Sequence, residues 1–275
     1  MKSKLAICYR IYPGVSKVPA IHSDNKLKMS ELCLRSFVRG LQGVDAKIWV
    51  LLDNCGNEYN EMFEKYLAPF EFELINLNKA GNAATFGMQM DILSKQNFSE
   101  YIYFAEDDYF YLENAFFETL EVLKQNKAEF ATPYNHPDFE TLSIHDYEYK
   151  IAEINNRKWR NAASTTMSFM TTKANLAKYE KIFRTYTKLN YDASMWFAIT
   201  KLNIKNPIKI LKYALSSKMY LKIFLKVYYF TPFASFGNGG ILLSPMKSLA
   251  THLDDKGLPQ EIDWNAEFEK LNYGI

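Results

Sequence analysis

The sequence predicts an α/β fold: a Rossmann-like, mostly parallel sheet flanked by helices, followed by a basic helical subdomain. Three observations carry this expectation. Short apolar runs alternate with amphipathic helical patterns over the first 135 residues, the connections between them are short, and polar residues collect where the apolar runs end. Such alternation is the pattern of parallel strands joined by crossover helices. Ligands of such sheets bind beyond the carboxyl ends of the strands.

The elements follow in order. Residues 4–9 (KLAICY) read as a buried strand. After a loop rich in Pro, Gly and Ser, Ser30 precedes a helical pattern whose apolar face is Leu32, Leu34, Phe37, Val38 and Leu41. Residues 47–52 (KIWVLL) form the next run and end in the turn signal Asp53-Asn54-Cys55-Gly56. A helix-like EYNEMFEKYL leads to the strand-like 72–77, then to the loop NKAGN and a helix from Asn82. Residues 101–105 (YIYFA) end in Glu106-Asp107-Asp108, and NAFFETLEVLKQN is another helix before the short run FATPYN. Beyond residue 135 the regular signals are a strand in 165–172, a helix after Asp192, the Gly-rich turn 237–240 and the strand-like ILLSP. The expected organisation is a ligand-binding half, 1–135, and a second half, 136–275, within one continuous domain.

A chain of 275 residues with 48% hydrophobic and 23% charged residues can bury a sizeable core. The net charge of +2 gives nucleic-acid binding no support. Its distribution is uneven: no acidic residue lies between Asp192 and Asp254, where eight lysines fall. Lys201, Lys205, Lys209 and Lys212 recur every three or four residues, as do Lys218, Lys222 and Lys226, so each set is expected on one helix face within a basic segment 201–230. A basic face on an apolar helix suits an anionic membrane surface, and a solvated lysine face is the plainer alternative. Three scattered cysteines without metal spacing, no signal-peptide pattern and no membrane-length apolar run lead to the expectation of a cytoplasmic protein, peripheral at the inner face of the membrane if the basic segment binds there.

Two carboxylates separated by one residue, at the end of a buried strand, can hold a hard divalent cation such as Mg²⁺ or Mn²⁺, which binds substrate phosphates alongside a few protein oxygens. A solvated acidic turn is the alternative for the same three residues. Here the local sequence becomes specific. FAEDDYFY resembles the D-x-D-type motif of family 2-like GT-A glycosyltransferases of the bacterial surface-glycan type, with Glu106 in place of the first Asp. KLAICYRIYP resembles their first strand and nucleotide loop, WVLLDNCG their second strand, and NLNKAGNAATFGMQMDIL the loop and helix beneath the nucleotide. The resemblance covers about the first 110 residues.

The resemblance implies a GT-A fold and a transferase that moves a sugar from a nucleoside-diphosphate donor, a UDP-sugar first among them, to a glycan or lipid-linked glycan. It places Arg10, Tyr12, Asp53, Lys79, Asn82, Glu106 and Asp107 near the nucleotide, with Asp108 as the direct ligand of Mn²⁺ or Mg²⁺. A late His completes the metal site in many such enzymes, which falls on His252, otherwise a surface histidine beside Asp254 and Asp255. Asp192 matches the position of the base in inverting members and is equally a favoured helix N-cap; Asp138 and Asp146 are further candidates. Trp159 and Arg160, with Ser164 to Thr166, can line an acceptor pocket, a ring stacking on sugar and a guanidinium holding an acid group; a core Trp beside a surface Arg is the alternative. A sugar nucleotidyltransferase is disfavoured because IYPGVSKVP lacks a G-x-G-T-R pattern, and a non-catalytic domain of this fold that binds glycan or partner proteins stays open.

Overall fold

The structure is a computed structural model that describes residues 2–15, 18–254 and 256–273. Its first half alternates as the sequence predicts: β1 (Ser3–Ile11), α1 (Lys26–Gly40), β2 (Val44–Asp53), α2 (Asn57–Leu67), β3 (Glu71–Leu77), α3 (Asn82–Lys95), β4 (Tyr101–Glu106), β5 (Tyr109–Tyr111), α4 (Ala115–Lys124) and β6 (Phe130–Ala131). The second half adds α5 (Asp138–Thr141), the hairpin β7 (Ile151–Ile154) and β8 (Arg157–Asn161), then β9 (Phe169–Thr172), α6 (Lys173–Phe183), α7 (Asp192–Thr200), α8 (Pro207–Ser216), α9 (Lys218–Phe230), β10 (Leu242–Pro245), β11 (Ala250–His252) and α10 (Trp264–Tyr273).

Among the described residues, nine strands form one sheet in the order β3-β2-β1-β4-β9-β6-β10-β8-β7, which runs through both halves of the chain. β3, β2, β1 and β4 are parallel, as are β6 and β10, while β9 and β8 run against their neighbours. The sheet is thus mostly parallel in strand direction. β1 is buried from Leu5 to Ile11, because helices cover both faces and every side chain along it must be accommodated without water. One core, on the α1 and α2 side, packs Tyr9, Phe37 and Phe63 edge to face. The other, on the α3 and α7 side, packs Phe104 and Phe169 of the sheet with Trp196 of α7.

Several local expectations are corrected. α1 begins at Lys26, capped by the Asn25 side chain, so Ser30 lies buried within the helix rather than before it. The strands expected in 130–135 and 165–172 shorten to two and four residues. Lys201 and Lys205 do not share a helix with Lys209 and Lys212. α7 ends at Thr200, Lys201 adopts a left-handed conformation, and α8 starts afresh with an Asn206 cap and Pro207 in its first turn. No helix among the described residues is long and apolar enough to cross a membrane.

Candidate active site

The site is built at the carboxyl edge of the parallel strands. β1 and β4 pair with Arg10 opposite Glu106, so both side chains leave the sheet on one face at its end. Arg10 donates through Nη2 to Glu106 Oε1 at 2.6 Å and through Nη1 to the backbone oxygen of Asn82 at 2.9 Å and to its side-chain oxygen. Ser168 donates to the other Glu106 oxygen at 3.1 Å. Asp107 meets a second cation: Lys26 Nζ, at the start of α1, lies 2.6 Å from its Oδ2. Asp108 meets a third group. The antiparallel β5–β11 ladder puts His252 opposite Tyr109, and Leu253 N–H donates to the Asp108 carbonyl at 2.8 Å. His252 Nε2 thereby stands 2.9 Å from Asp108 Oδ2. Among the described residues, Asp108 Oδ1 is buried without a hydrogen-bond partner, as is Asp107 Oδ2 beside Lys26.

Each carboxylate of the triplet therefore has its own partner, delivered by a different element. The electrostatics separate the last two. Burial pushes the Asp107 carboxyl up to about 6, against the pull of Lys26. Burial also pushes on Asp108, but His252, Lys26 and Arg10 outweigh it and hold that carboxyl at about 2. Asp108 is the more firmly ionised of the two, and Lys26 offsets much of the charge of its neighbour.

Asp53, at the end of β2, is buried. Its oxygens accept from Ala80 N–H at 2.7 Å and Gly81 N–H at 2.8 Å. These bonds pin the turn in which Lys79 and Gly81 both take positive φ, and which delivers the N-terminus of α3 to the strand ends. Gly81 is the α3 cap and makes no side-chain capping bond, and the first turn of that helix, through Gly81, Asn82 and Thr85, lines the cleft. Arg10, Tyr12, Lys26, Asp53, Gly81, Asn82, the acidic triplet and His252 line one cleft of about 370 Å³. Tyr12 is half exposed at its mouth. Lys79 is exposed and does not line the cleft.

A second cleft, of about 530 Å³, holds Asp192, Asp138, His136 and His145 together with Ser164, Thr165 and Thr166. Two hydroxyls connect it to the first. Tyr109, whose ring lies 5.2 Å from that of His252, donates to Thr166 Oγ1 at 2.6 Å. Tyr186 accepts from Asn82 Nδ2 at 3.0 Å; burial raises its hydroxyl, which Arg10 opposes and Glu106 and Asp192 reinforce. Asp192 is the first residue of α7, and Tyr191 holds the cap position that the sequence assigned to Asp192. Its Oδ1 accepts from Ala193 N–H at 2.6 Å. Asp146 does not line this cleft.

Trp159 and Arg160 reach neither cleft. Consecutive residues of β8, they point to opposite faces of the sheet. Trp159 is 1% exposed inside the α1-side core. Arg160 is buried over the Phe139 ring, with its guanidinium donating to Asn135 Oδ1 at 2.7 Å and to Glu140. Both are committed to structure, and the acceptor-pocket expectation for them is corrected accordingly. The sequence reading missed Lys26, Ser168, Tyr109 and Tyr186, whose partners lie far along the chain.

His145 gives a pH test of the second cleft. Its imidazole packs against the rings of Phe139 and Phe197, and among the described residues its buried Nδ1 has no hydrogen-bond partner. Burial first, then the charges of His136 and Arg160, lower its pKa from 6.5 to about 4. The unfolded chain therefore binds more protons between those values, so stability is full above the upper one and falls as pH drops toward the lower, by up to about 3 kcal/mol. His145→Phe keeps the ring stack and removes the titration. The urea midpoint of the variant should exceed that of the wild type by a margin that grows as pH falls through this window. A margin that does not change with pH would refute the assignment.

No family model and no curated protein matches the chain. Solved structures do. A structure of S. aureus TarS residues 1–349 superposes with a TM-score of 0.46 at 11% identity, over 83% of this chain and 72% of that one. A longer S. aureus TarS chain gives 0.44 at 11%, over 71% and 33%. TarS 1–349 in complex with UDP-GlcNAc gives 0.43 at 12%, over 68% and 53%. The present chain thus spans about a third of the longer TarS chain. Likeness at this level carries nothing about ligand or reaction, which rest on the residues of the two clefts.

Proposed function

We propose that this protein is a metal-dependent glycosyltransferase. The first cleft takes a nucleoside-diphosphate sugar, with UDP as the nucleotide, and the second presents an acceptor hydroxyl to Asp192. The observation that carries this reading is the triplet's unequal pairing. Glu106 and Asp107 are each paired with a full cation, whereas Asp108 is paired only with an imidazole; among the described residues, Asp108 Oδ1 and the Asp107 oxygen beside Lys26 are both buried without a hydrogen-bond partner. An ionised carboxylate oxygen left so is costly unless something else meets it.

A divalent cation fits that position, with Asp108 and His252 as its protein ligands. Among the described residues no group of three His, Cys, Asp or Glu side chains is set to hold a metal. Two protein ligands suit a cation that takes its other oxygens from a diphosphate and water, and imidazole favours Mn²⁺ over Mg²⁺. When bound, the metal would neutralise the diphosphate as it becomes the leaving group. Arg10 and Lys26 line the same cleft and offset the charges of Glu106 and Asp107 there, so that the acidic triplet does not repel a diphosphate with its full charge. The uncapped N-terminus of α3 adds amide donors suited to an anion. Asp53 fixes the turn that holds those donors in place, and Tyr12 offers a ring at the mouth for a nucleobase.

In the second cleft, Asp192 takes the proton from the acceptor hydroxyl as its oxygen attacks the anomeric carbon from the face opposite the diphosphate. One C–O bond forms, the bond to the diphosphate breaks, and the electron pair leaves with the phosphate oxygen. This is direct displacement, with inversion and no sugar-enzyme intermediate. Asp192 is placed at the first turn of α7, on the wall of the second cleft.

Isothermal titration of the wild type with UDP, with and without Mn²⁺, tests the reading. Binding is expected to strengthen markedly with Mn²⁺. If neither UDP nor any other nucleoside diphosphate binds in either condition, the enzyme reading fails.

A further inference from the structure

The hairpin of α8 and α9 leaves an unusual amount of apolar surface in water. Its inner face is well packed: the Tyr213 ring lies 6.2 Å from Tyr220 and 6.5 Å from Phe224, and Ile223 and Val227 close the cluster against α7. The outer face is apolar as well. Ile208, Leu211 and Leu215 recur along α8 at helical spacing, with Ile208 78% and Leu215 79% exposed. Leu221, Leu225 and Tyr229 do the same along α9, and Tyr229 is 79% exposed. Phe233 and Phe236 in the following turn are exposed too. Contiguous exposed apolar residues of this size mark a contact surface.

The charge around them is of one sign. Lys205, Lys212, Lys218 and Lys222 are exposed in the same segment, and residues 193–253 contain no acid. Lys218 and Lys222 lie one turn apart and share the exposed face of α9 with Leu225 and Tyr229, at multiples of about four residues. Lys226 has a different use: it reaches the Leu189 carbonyl and lies 3.9 Å over the Tyr191 ring. A protein partner of ordinary composition would leave these lysines to find scattered acids. A sheet of anionic headgroups over acyl chains satisfies both features at once, with apolar side chains in the boundary and ammonium groups at the phosphates.

We propose that the α8–α9 hairpin and the turn after it seat the protein on an anionic lipid surface, and that the seat brings the second cleft to the headgroups. The same helix serves both: Lys218, Met219 and Lys222 of α9 line the cleft that holds Asp192. An acceptor carried on a lipid diphosphate thus reaches Asp192 from the membrane side. This second half of the inference rests on the proposed transferase reading, whereas the docking itself does not.

Co-sedimentation of the full chain with phosphatidylcholine vesicles, with and without phosphatidylglycerol, tests it without any donor present. Binding is expected only with phosphatidylglycerol and should weaken as salt is raised. Lys205→Gln and Lys212→Gln, outside both clefts, should each weaken it about fivefold. Leu211→Ser with Leu215→Ser and Leu225→Ser should abolish it while UDP binding stays unchanged. No binding to phosphatidylglycerol vesicles would overturn the proposal. So would a stable dimer in solution that the same three substitutions dissociate, since a second copy would then be what covers the face. Vesicle binding without UDP binding would leave the docking standing and remove the transferase reading.

Discussion

Replacing Asp108 with Asn should remove metal-dependent nucleotide binding and lower sugar transfer on the order of 10²- to 10³-fold, the usual loss when a group that stabilises developing charge is deleted. The amide keeps the side chain's size and can still meet His252, so the fold should survive, and an unchanged thermal midpoint would verify that. The same substitution at Asp107 should do less to metal dependence, because Lys26 already occupies that carboxylate. Titration of UDP across a range of Mn²⁺ concentrations, and in EDTA, reads the difference. Wild type should respond to the metal and Asp108→Asn should not. If Asp108→Asn responds to Mn²⁺ as the wild type does, the metal assignment is wrong, and Asp108 is a structural acid that orients His252.

What could be read from the sequence divides along physical lines. The first half was legible because its strands are buried on both faces: uninterrupted apolar runs such as KLAICY can be little else, and their polar ends mark the site edge. Glu106, Asp107, Asp108, Arg10 and Asp53 therefore came with the fold. His252 came only with the family resemblance, since the β5–β11 ladder that sets it beside Asp108 joins segments about 140 residues apart. Lys26 had no local signal at all; it is an ordinary lysine in a helix's first turn until α1 brings it to Asp107. Trp159 and Arg160 misled because a charged, aromatic run looks like a binding surface. Strand periodicity of two already forbids neighbours on one strand from forming one platform, and RKWRN is a strand. The lysine spacing misled in the same way, since Asn206-Pro207 is a start signal that outranks a four-residue recurrence.

Asp192→Asn should separate chemistry from binding. Loss of a general base costs typically 10²- to 10⁴-fold in rate, and donor affinity should stay at the wild-type value because Asp192 lines the second cleft and not the first. The variant should fold normally: Asn still accepts from Ala193 N–H and still begins α7. The rival base is Asp138, which shares the cleft and lies near His136, with 3.6 Å between its Oδ2 and Nδ1. Asp138 is the less suited of the two. Its own N–H donates to that Nδ1 at 3.0 Å, which ties it to the His136 turn, and α5 is a single four-residue turn with little dipole behind it. Asp192 instead opens a nine-residue helix whose Met195, Trp196 and Ile199 are seated in the core, so its position is fixed. Single-turnover transfer by the two Asn variants decides between them. Loss at Asp192 with retention at Asp138 is the expected pair of results, and the reverse pair would move the base to Asp138 while leaving the donor cleft as assigned.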